Sequence, residues 1–204
     1  MQKIVLIVTT ISKTILLNSW TESEYIPPSK KIPHTIVNGK NKKIGLKSVQ
    51  MEGTAIQFLN DKLKMDPDIL FDAWSFFPIV SSMAGTHGNG LHVSNALTAI
   101  YLATGQDTAC AAENSIAHVG LEKREDALKF KLTLPSLTVG TVGGGTRLKM
   151  QNRNLELLRC HEGDRSSRKL AEIVAGAALS LEISLICAID SHTWTDAHMK
   201  YGRK

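Results

Sequence analysis

The sequence is poor in the residue types on which nucleic-acid binding depends. Only 5% of its 204 residues are aromatic, and its basic residues are dispersed although the formal net charge is +5. Nucleic-acid binding is not expected, because it commonly uses stacking aromatics and clustered Lys and Arg. A phosphorylated small molecule would fit this mild positive charge equally well.

Cysteine is also scarce. Cys110, Cys160 and Cys187 are odd in number and widely spaced, and they form no CxxC or Cys/His ligand pattern. The sequence therefore indicates neither a disulfide framework nor a metal site. A reducing, cytoplasmic location is the expectation that follows.

An uncharged apolar run long enough to span a membrane is missing as well. The first residues begin like a secretion signal, but Lys13 interrupts the run and no clear cleavage site follows. The longest apolar run, from Leu170 to Ile189, contains Glu172 and Glu182. These carboxylates favour a core helix, so no membrane segment is expected.

The stretch from Gly85 to Asp107 combines a loop of small polar residues, an amphipathic helix and an acid. Its apolar residues recur at helical spacing. The helix is predicted to stop at Thr104-Gly105, because Gly is the usual residue just past the last turn. The carboxylate of Asp107 follows that stop.

Periodicity and turn chemistry predict the other elements. Asp66 is a suitable N-cap before Pro67, and Trp74, Phe76 and Phe77 are expected in the core. Ala109–Val119 is consistent with either a helix or an extended chain. The remaining predictions are a strand at Ile4–Val8, a hairpin over Thr35–Val49, helices at Gln57–Leu63 and Pro67–Phe77, a half-buried strand at Leu128–Val139 and a long helix at Ser167–Ile189.

A glycine-rich segment follows the last predicted strand, and it contains three consecutive glycines. Backbone N–H groups there have no side chain in the way, which suits an anion such as phosphate. The spacing is neither that of a P-loop nor GxGxxG. On the glycines alone a mobile turn is as good an interpretation as a ligand loop, and Arg147 and Lys149 favour the anion. The segment reads Gly140, Thr141, Val142, Gly143, Gly144, Gly145, Thr146.

Several separated segments together resemble one family, the 3-hydroxy-3-methylglutaryl-coenzyme A (HMG-CoA) reductases, over the C-terminal part of the catalytic domain. The combination of ATGQD with GTVGGGT downstream is the most specific part of the resemblance. In family order the segments are Ser29–Lys31, SMAG at Ser82–Gly85, HVSNALTAIYLATGQD, LPSLTVGTVGGGT, LAEIVAGAALSLEISL and the pair His198-Met199.

The resemblance implies an α+β or α/β fold. Residues 29–204 would belong to the large substrate-binding domain, and residues 1–28 would be at most the last strand of a small ferredoxin-like cofactor domain that is otherwise missing. A glutamate in an ENVIG-type motif and a DAMGMN cofactor segment are missing too. The family works as a homodimer with a shared active site, so a homodimer is expected.

The implied activity is the reduction of HMG-CoA to mevalonate and coenzyme A with NADPH, or with NADH. By resemblance, Lys30 would stabilise the thioester oxygen and Asp107 would tune that lysine, while His198 would protonate the departing thiolate.

The remaining site residues also come from the resemblance. The segment from Gly140 to Thr146 matches one of the family's two nicotinamide-cofactor motifs. Lys31, His92 and Asn95 match positions near the substrate.

Two other functions stay open at this stage. The chain could be an inactive remnant that still folds, dimerises or binds coenzyme A. With the resemblance set aside, it reads as a small anion-binding α/β domain. Phe76 stands where the family has a substrate-binding lysine, Ser29 stands where it commonly has an aspartate, and Ala197 where many members have a serine.

Overall fold

The computed structural model describes residues 49–50, 54–55, 66–123, 125, 127–161 and 166–202. The predicted strand at Ile4–Val8, nearly all of the predicted hairpin at Thr35–Val49 and the predicted helix at Gln57–Leu63 lie outside these ranges. The predicted N-terminal segment 1–28 lies outside them as well.

Helices and a small sheet make up the described part of the chain. Two 3-10 turns, Thr108–Cys110 and Gly144–Arg147, lie between the longer elements. In chain order the elements are β1 (Val49–Gln50), β2 (Thr54–Ala55), α1 (Pro67–Met83), α2 (Val93–Thr104), α3 (Ala111–Asn114), β3 (His118–Lys123), β4 (Ala127–Thr133), α4 (Lys149–Leu157), α5 (Ser166–Asp190) and α6 (Thr193–Tyr201).

The sheet is organised around β4. β3 pairs along β4 from His118↔Thr133 to Lys123↔Leu128, whereas β1 and β2 each pair with a separate part of it. All the described pairings are antiparallel, so of the two expected classes the structure fits α+β. One face of β4 is buried and the other carries polar side chains, which is the alternation of a half-buried strand.

The long helix α5 lies at the centre of the core, as predicted, and packs against α2 and β4. By length and composition it could also cross a membrane, but 56% of its most apolar window is buried inside the structure. Each fully buried aliphatic side chain contributes about 1.5–3 kcal/mol. Fully buried core side chains include Leu97, Tyr101, Phe130, Leu170 and Leu179.

The start of α1 agrees with the prediction, but its length does not. The carboxylate of Asp66 accepts hydrogen bonds from the backbone N–H of Asp68 and Ile69, so the predicted N-cap is confirmed. The helix then runs beyond the predicted end at Phe77 to Met83. Trp74 is buried as predicted, but the prediction for Phe76 was wrong because 68% of its surface is exposed.

Two other predictions need correction. The strand predicted at Leu128–Val139 ends at Thr133, because Pro135 has no N–H to donate to a ladder. Leu134, Leu137 and Val139 are still buried, but as irregular chain. The glycine segment is therefore separated from the strand. The open segment Ala109–Val119 contains a 3-10 turn, α3 and the start of β3.

Candidate active site

The end of α2 presents the predicted acid to solvent. Gly105 adopts a left-handed φ of 69°, and both its N–H and that of Gln106 donate to the carbonyl oxygen of Tyr101. This is the helix stop that the sequence predicted. Asp107 follows with an exposed side chain, and its Oδ1 accepts a hydrogen bond of 3.0 Å from the N–H of Ala109.

The glycine segment packs directly against this helix end. A Cβ on Gly105 would overlap the carbonyl group of Gly145 and would lie 2.7 Å from the nitrogen of Thr146. A Cβ on Gly145 would in turn lie 2.8 Å from the oxygen of Gly105. Two motifs that are far apart in the sequence thus meet backbone against backbone, which only glycine permits here.

Gln106 joins the end of α2 to the glycine segment through two hydrogen bonds. Its Nε2 donates to the carbonyl oxygen of Gly140 at 2.9 Å, and its Oε1 accepts from the N–H of Gly140 at 2.8 Å. A primary amide can both donate and accept, so one side chain satisfies a whole peptide unit. Sequence reasoning did not single out Gln106. The available signal was an amide placed between the helix stop and the acid.

A second, buried network holds the chain leading into the glycine segment. The hydroxyl of Tyr101 donates to the carbonyl oxygen of Thr138 at 2.9 Å and accepts from Nδ2 of Asn114 at 2.7 Å. Burial raises the pKa of Tyr101 to about 12, so the phenol remains a donor at neutral pH. Tyr101 and Gln106 therefore attach α2 to this segment at two points.

The start of α2 carries the two predicted substrate residues. Nδ2 of Asn95 lies 2.8 Å from Nδ1 of His92, one turn away. Because an amide nitrogen can only donate, Nδ1 of His92 accepts and the neutral ring carries its proton on Nε2. His92 is half-buried and Asn95 is exposed.

A buried carboxylate binds backbone N–H groups at the start of α2. Glu182 on α5 is 0% exposed and accepts hydrogen bonds from the N–H of Leu91, at 2.9 Å, and of His92. Burial raises the pKa of Glu182, while the N–H groups of Leu91, His92 and Val93 oppose that rise. Sequence reasoning used Glu182 only as an argument against a membrane span.

The structure does not bring all the predicted residues to one place within one copy of the chain. Asn95 and Asp107 lie near opposite ends of α2, which has 12 residues. At a rise of 1.5 Å per residue, roughly 15 Å of helix separates Asn95 from Gly105, and Asp107 follows two residues later. The glycine segment is at the Asp107 end.

The third predicted catalytic residue, His198, lies on the exposed helix α6. Its Nδ1 is 2.8 Å from the carbonyl oxygen of Trp194, so Nδ1 must be the donor. The rings of Trp194 and His198 are in contact, with centroids 3.9 Å apart and their planes tilted by 34°. This leaves Nε2 available to take up or deliver a proton.

Some of the predicted site lies beyond what the structure describes. Lys30 and Lys31 are outside the described residues, so their roles stay predictions. Within the described ranges, no group of three His, Cys, Asp or Glu side chains could hold a metal ion.

Comparison with known proteins identifies the family. The family model for hydroxymethylglutaryl-coenzyme A reductase matches residues 22–203. The chain is 42% identical over 125 residues to the 3-hydroxy-3-methylglutaryl-coenzyme A reductase of Methanocaldococcus jannaschii, which covers 61% of this chain and 31% of that protein. Identity to the Pyrococcus horikoshii reductase is 39% over 153 residues (72% of this chain, 37% of that one). Reductase 3 of Solanum tuberosum is 44% identical over 131 residues (60% and 23%).

The matches cover a small share of each relative but a large share of this chain. The matched part spans between 23% and 37% of the length of these three relatives. The family model, in contrast, matches nearly the whole of this chain, from residue 22 to residue 203. The chain therefore belongs to the hydroxymethylglutaryl-coenzyme A reductase family.

Proposed function

We propose that the chain forms part of an HMG-CoA reductase, which reduces HMG-CoA to mevalonate and coenzyme A. The contact between the end of α2 and the glycine segment carries this proposal. It brings the helix end that precedes the exposed Asp107 against the glycine segment, which we propose holds a nicotinamide cofactor. Residues 29–204 would form the large domain of the reductase, and a small ferredoxin-like domain would come from outside this sequence.

The glycine segment fits a nicotinamide cofactor in its shape. A Cβ on Gly140 or on Gly144 would meet no other atom within 4 Å, so a ligand can approach the backbone closely. The residues from Gly140 to Thr146 would hold the cofactor. We propose NADPH, or NADH; each molecule would supply one hydride, so the reduction would use two molecules in turn. The exposed Arg147 adds positive charge for its phosphates.

The chain's own residues would act on the oxygen and on the sulfur of the thioester. The ammonium of Lys30 would stabilise negative charge on the carbonyl oxygen, and the Asp107 carboxylate would keep that lysine protonated. Nε2 of His198 would protonate coenzyme A thiolate as the carbon–sulfur bond breaks. Lys31 would bind the substrate together with the His92–Asn95 pair.

We also propose a homodimer whose active sites are shared between subunits. The roughly 15 Å of helix between Asn95 and Gly105 is too far for one lysine to contact both ends of α2, since a lysine side chain reaches only about 6 Å. Two copies could each contribute one end. Ile69, Phe76, Val80 and Met83 form an exposed apolar stripe on α1 that suits such contact. Sedimentation should then give twice the chain mass of 22.3 kDa, and a monomer would contradict the dimer.

An inactive, coenzyme A-binding remnant is the second candidate. The sequence contains neither an ENVIG-type glutamate nor a DAMGMN segment. Glu182 cannot replace that glutamate, because it is fully buried and bonded to backbone N–H groups. We propose a cytoplasmic location for either candidate.

A complementation assay tests the proposed activity. The chain is mixed with a separately expressed polypeptide that covers the part of the Methanocaldococcus jannaschii relative that the chain does not match, and HMG-CoA-dependent NADPH oxidation is measured. We expect turnover from the mixture and none from either component alone, since neither holds a full site. An inactive mixture that nevertheless forms a stable complex would favour the remnant.

A further inference from the structure

Glu182 is a fully buried carboxylate to which the proposed reaction gives no role. Its side chain is 0% exposed, whereas Glu172 and Asp190 on the same helix α5 are half-buried. Burial of an ionised carboxylate is strongly unfavourable unless hydrogen bonds compensate for the lost water. The structure shows what those hydrogen bonds are.

Both oxygens of Glu182 accept from the chain that enters α2. Oε2 accepts from the N–H of Leu91 at 2.9 Å, and Oε1 accepts from the N–H of His92. Gly90 adjoins this carboxylate, since a Cβ there would be in ordinary van der Waals contact with Oε1 at 3.6 Å. His92 is the N-cap residue of α2 but its own side chain caps nothing. Glu182, supplied from 90 residues away, therefore holds the two N–H groups of the chain that leads into α2, close to the positive end of the helix dipole.

The anchored residue is also the one whose ring is paired with Asn95. With the backbone of His92 fixed, its Nδ1 lies 2.8 Å from Nδ2 of Asn95. An amide nitrogen only donates, so this contact selects the tautomer whose proton is on Nε2. We propose that Glu182 is a positioning residue, which fixes the first turn of α2 and so keeps the His92 ring in this one tautomer. The meaning of the His92–Asn95 pair as a substrate site rests on the proposed function.

The tautomer of His92 can be measured in the chain by itself, by nitrogen NMR of the imidazole rings, with His92→Gln to assign the signal. Glu182→Gln keeps the shape of the side chain but replaces one acceptor by a donor facing an N–H group. The lost hydrogen bond releases the His92 backbone, and part of its energy reaches the ring, so we expect the ratio of Nε2–H to Nδ1–H to fall about tenfold, which corresponds to about 1.4 kcal/mol.

Ile183→Val is the matched control. Ile183 is the next residue on α5 and 1% exposed, and it has no polar side-chain atom, so its truncation weakens the core without removing a hydrogen bond to the start of α2. We expect the His92 tautomer ratio to be unchanged in this variant. An unchanged ratio in Glu182→Gln, or an equal change in Ile183→Val, would overturn the positioning role.

Two further measurements test the role of Glu182. If Glu182→Gln does not fold, amide hydrogen exchange in the unaltered chain tests the role of Glu182 instead. The proposal requires the N–H groups of Leu91 and His92 to exchange as slowly as those in the middle of α2. Fast exchange there would overturn the proposal. In the complemented reductase, Glu182→Gln should raise KM for HMG-CoA about tenfold with a smaller change in kcat. If the unaltered chain shows no reductase activity, the proposed function fails, but the NMR result still decides the role of Glu182.

Discussion

Gly105→Ala should lower the free energy of unfolding by about 2–5 kcal/mol. The left-handed φ of 69° accounts for about 1–2 kcal/mol of this, because a Cβ is disfavoured there. Overlap with the backbone of Gly145 adds about 1–3 kcal/mol, since backbone cannot rotate away as a side chain can. Urea unfolding monitored by circular dichroism measures the loss.

The same chain provides matched controls for Gly105→Ala. Gly144 also has a positive φ, of 54°, but a Cβ there meets nothing within 4 Å. Gly144→Ala should therefore cost only the conformational part, about 1–2 kcal/mol. Gly140→Ala meets no atom within 4 Å and Gly140 has no positive φ, so it should be nearly neutral. Equal losses in the Gly105 and Gly144 variants would show that the two motifs do not pack as described.

Asp107→Asn should lower turnover in the complemented reductase by about 10²–10⁴, the usual contribution of a group that controls proton transfer. The substitution is structurally mild, because the amide oxygen of Asn can still accept from the N–H of Ala109. Unfolding should therefore be unchanged while kcat falls. Glu156→Gln, an exposed charge change on α4, is the control and should keep full activity. Full activity of Asp107→Asn would remove this residue from the mechanism.

Asp107→Asn also tests whether the site is shared between two copies of the chain. Asn95→Ala disables the other end of α2, because His92 then loses its hydrogen-bond partner. When the two inactive variants are mixed, dimers that contain one of each would combine the intact Asp107 end of one copy with the intact Asn95 end of the other. We expect part of the activity to return. Permanent inactivity would contradict a shared site.

Local chemistry made several elements predictable from the sequence. Asp66 before Pro67 determines where α1 begins, and Gly105 determines where α2 stops, because each acts through its immediate neighbours. The long helix α5 was equally clear, since its apolar residues repeat over many turns. The length of α1 was underestimated, because the helix continues past Phe77 to Met83.

The contacts that build the site were not predictable in this way. Gln106 bonds to a residue 34 positions away, and Glu182 bonds to one 91 positions away. Nothing in the neighbouring sequence specifies such partners. The separation of Asn95 from Asp107 was accessible, because the length of a helix follows from its residue count. The family resemblance grouped Asn95 and Asp107 by function, and the shared dimer site that we propose would bring them together.

The proposed mechanism requires Lys30 to lie beside Asp107 in the assembled enzyme. A carbodiimide joins an ammonium and a carboxylate only when they are in contact, so treatment of the complemented assembly followed by peptide mass spectrometry tests this directly. The account predicts an amide between Lys30 and Asp107 that disappears in Asp107→Asn. Cross-links from Asp107 to other lysines, with Lys30 joined only to other carboxylates, would contradict it.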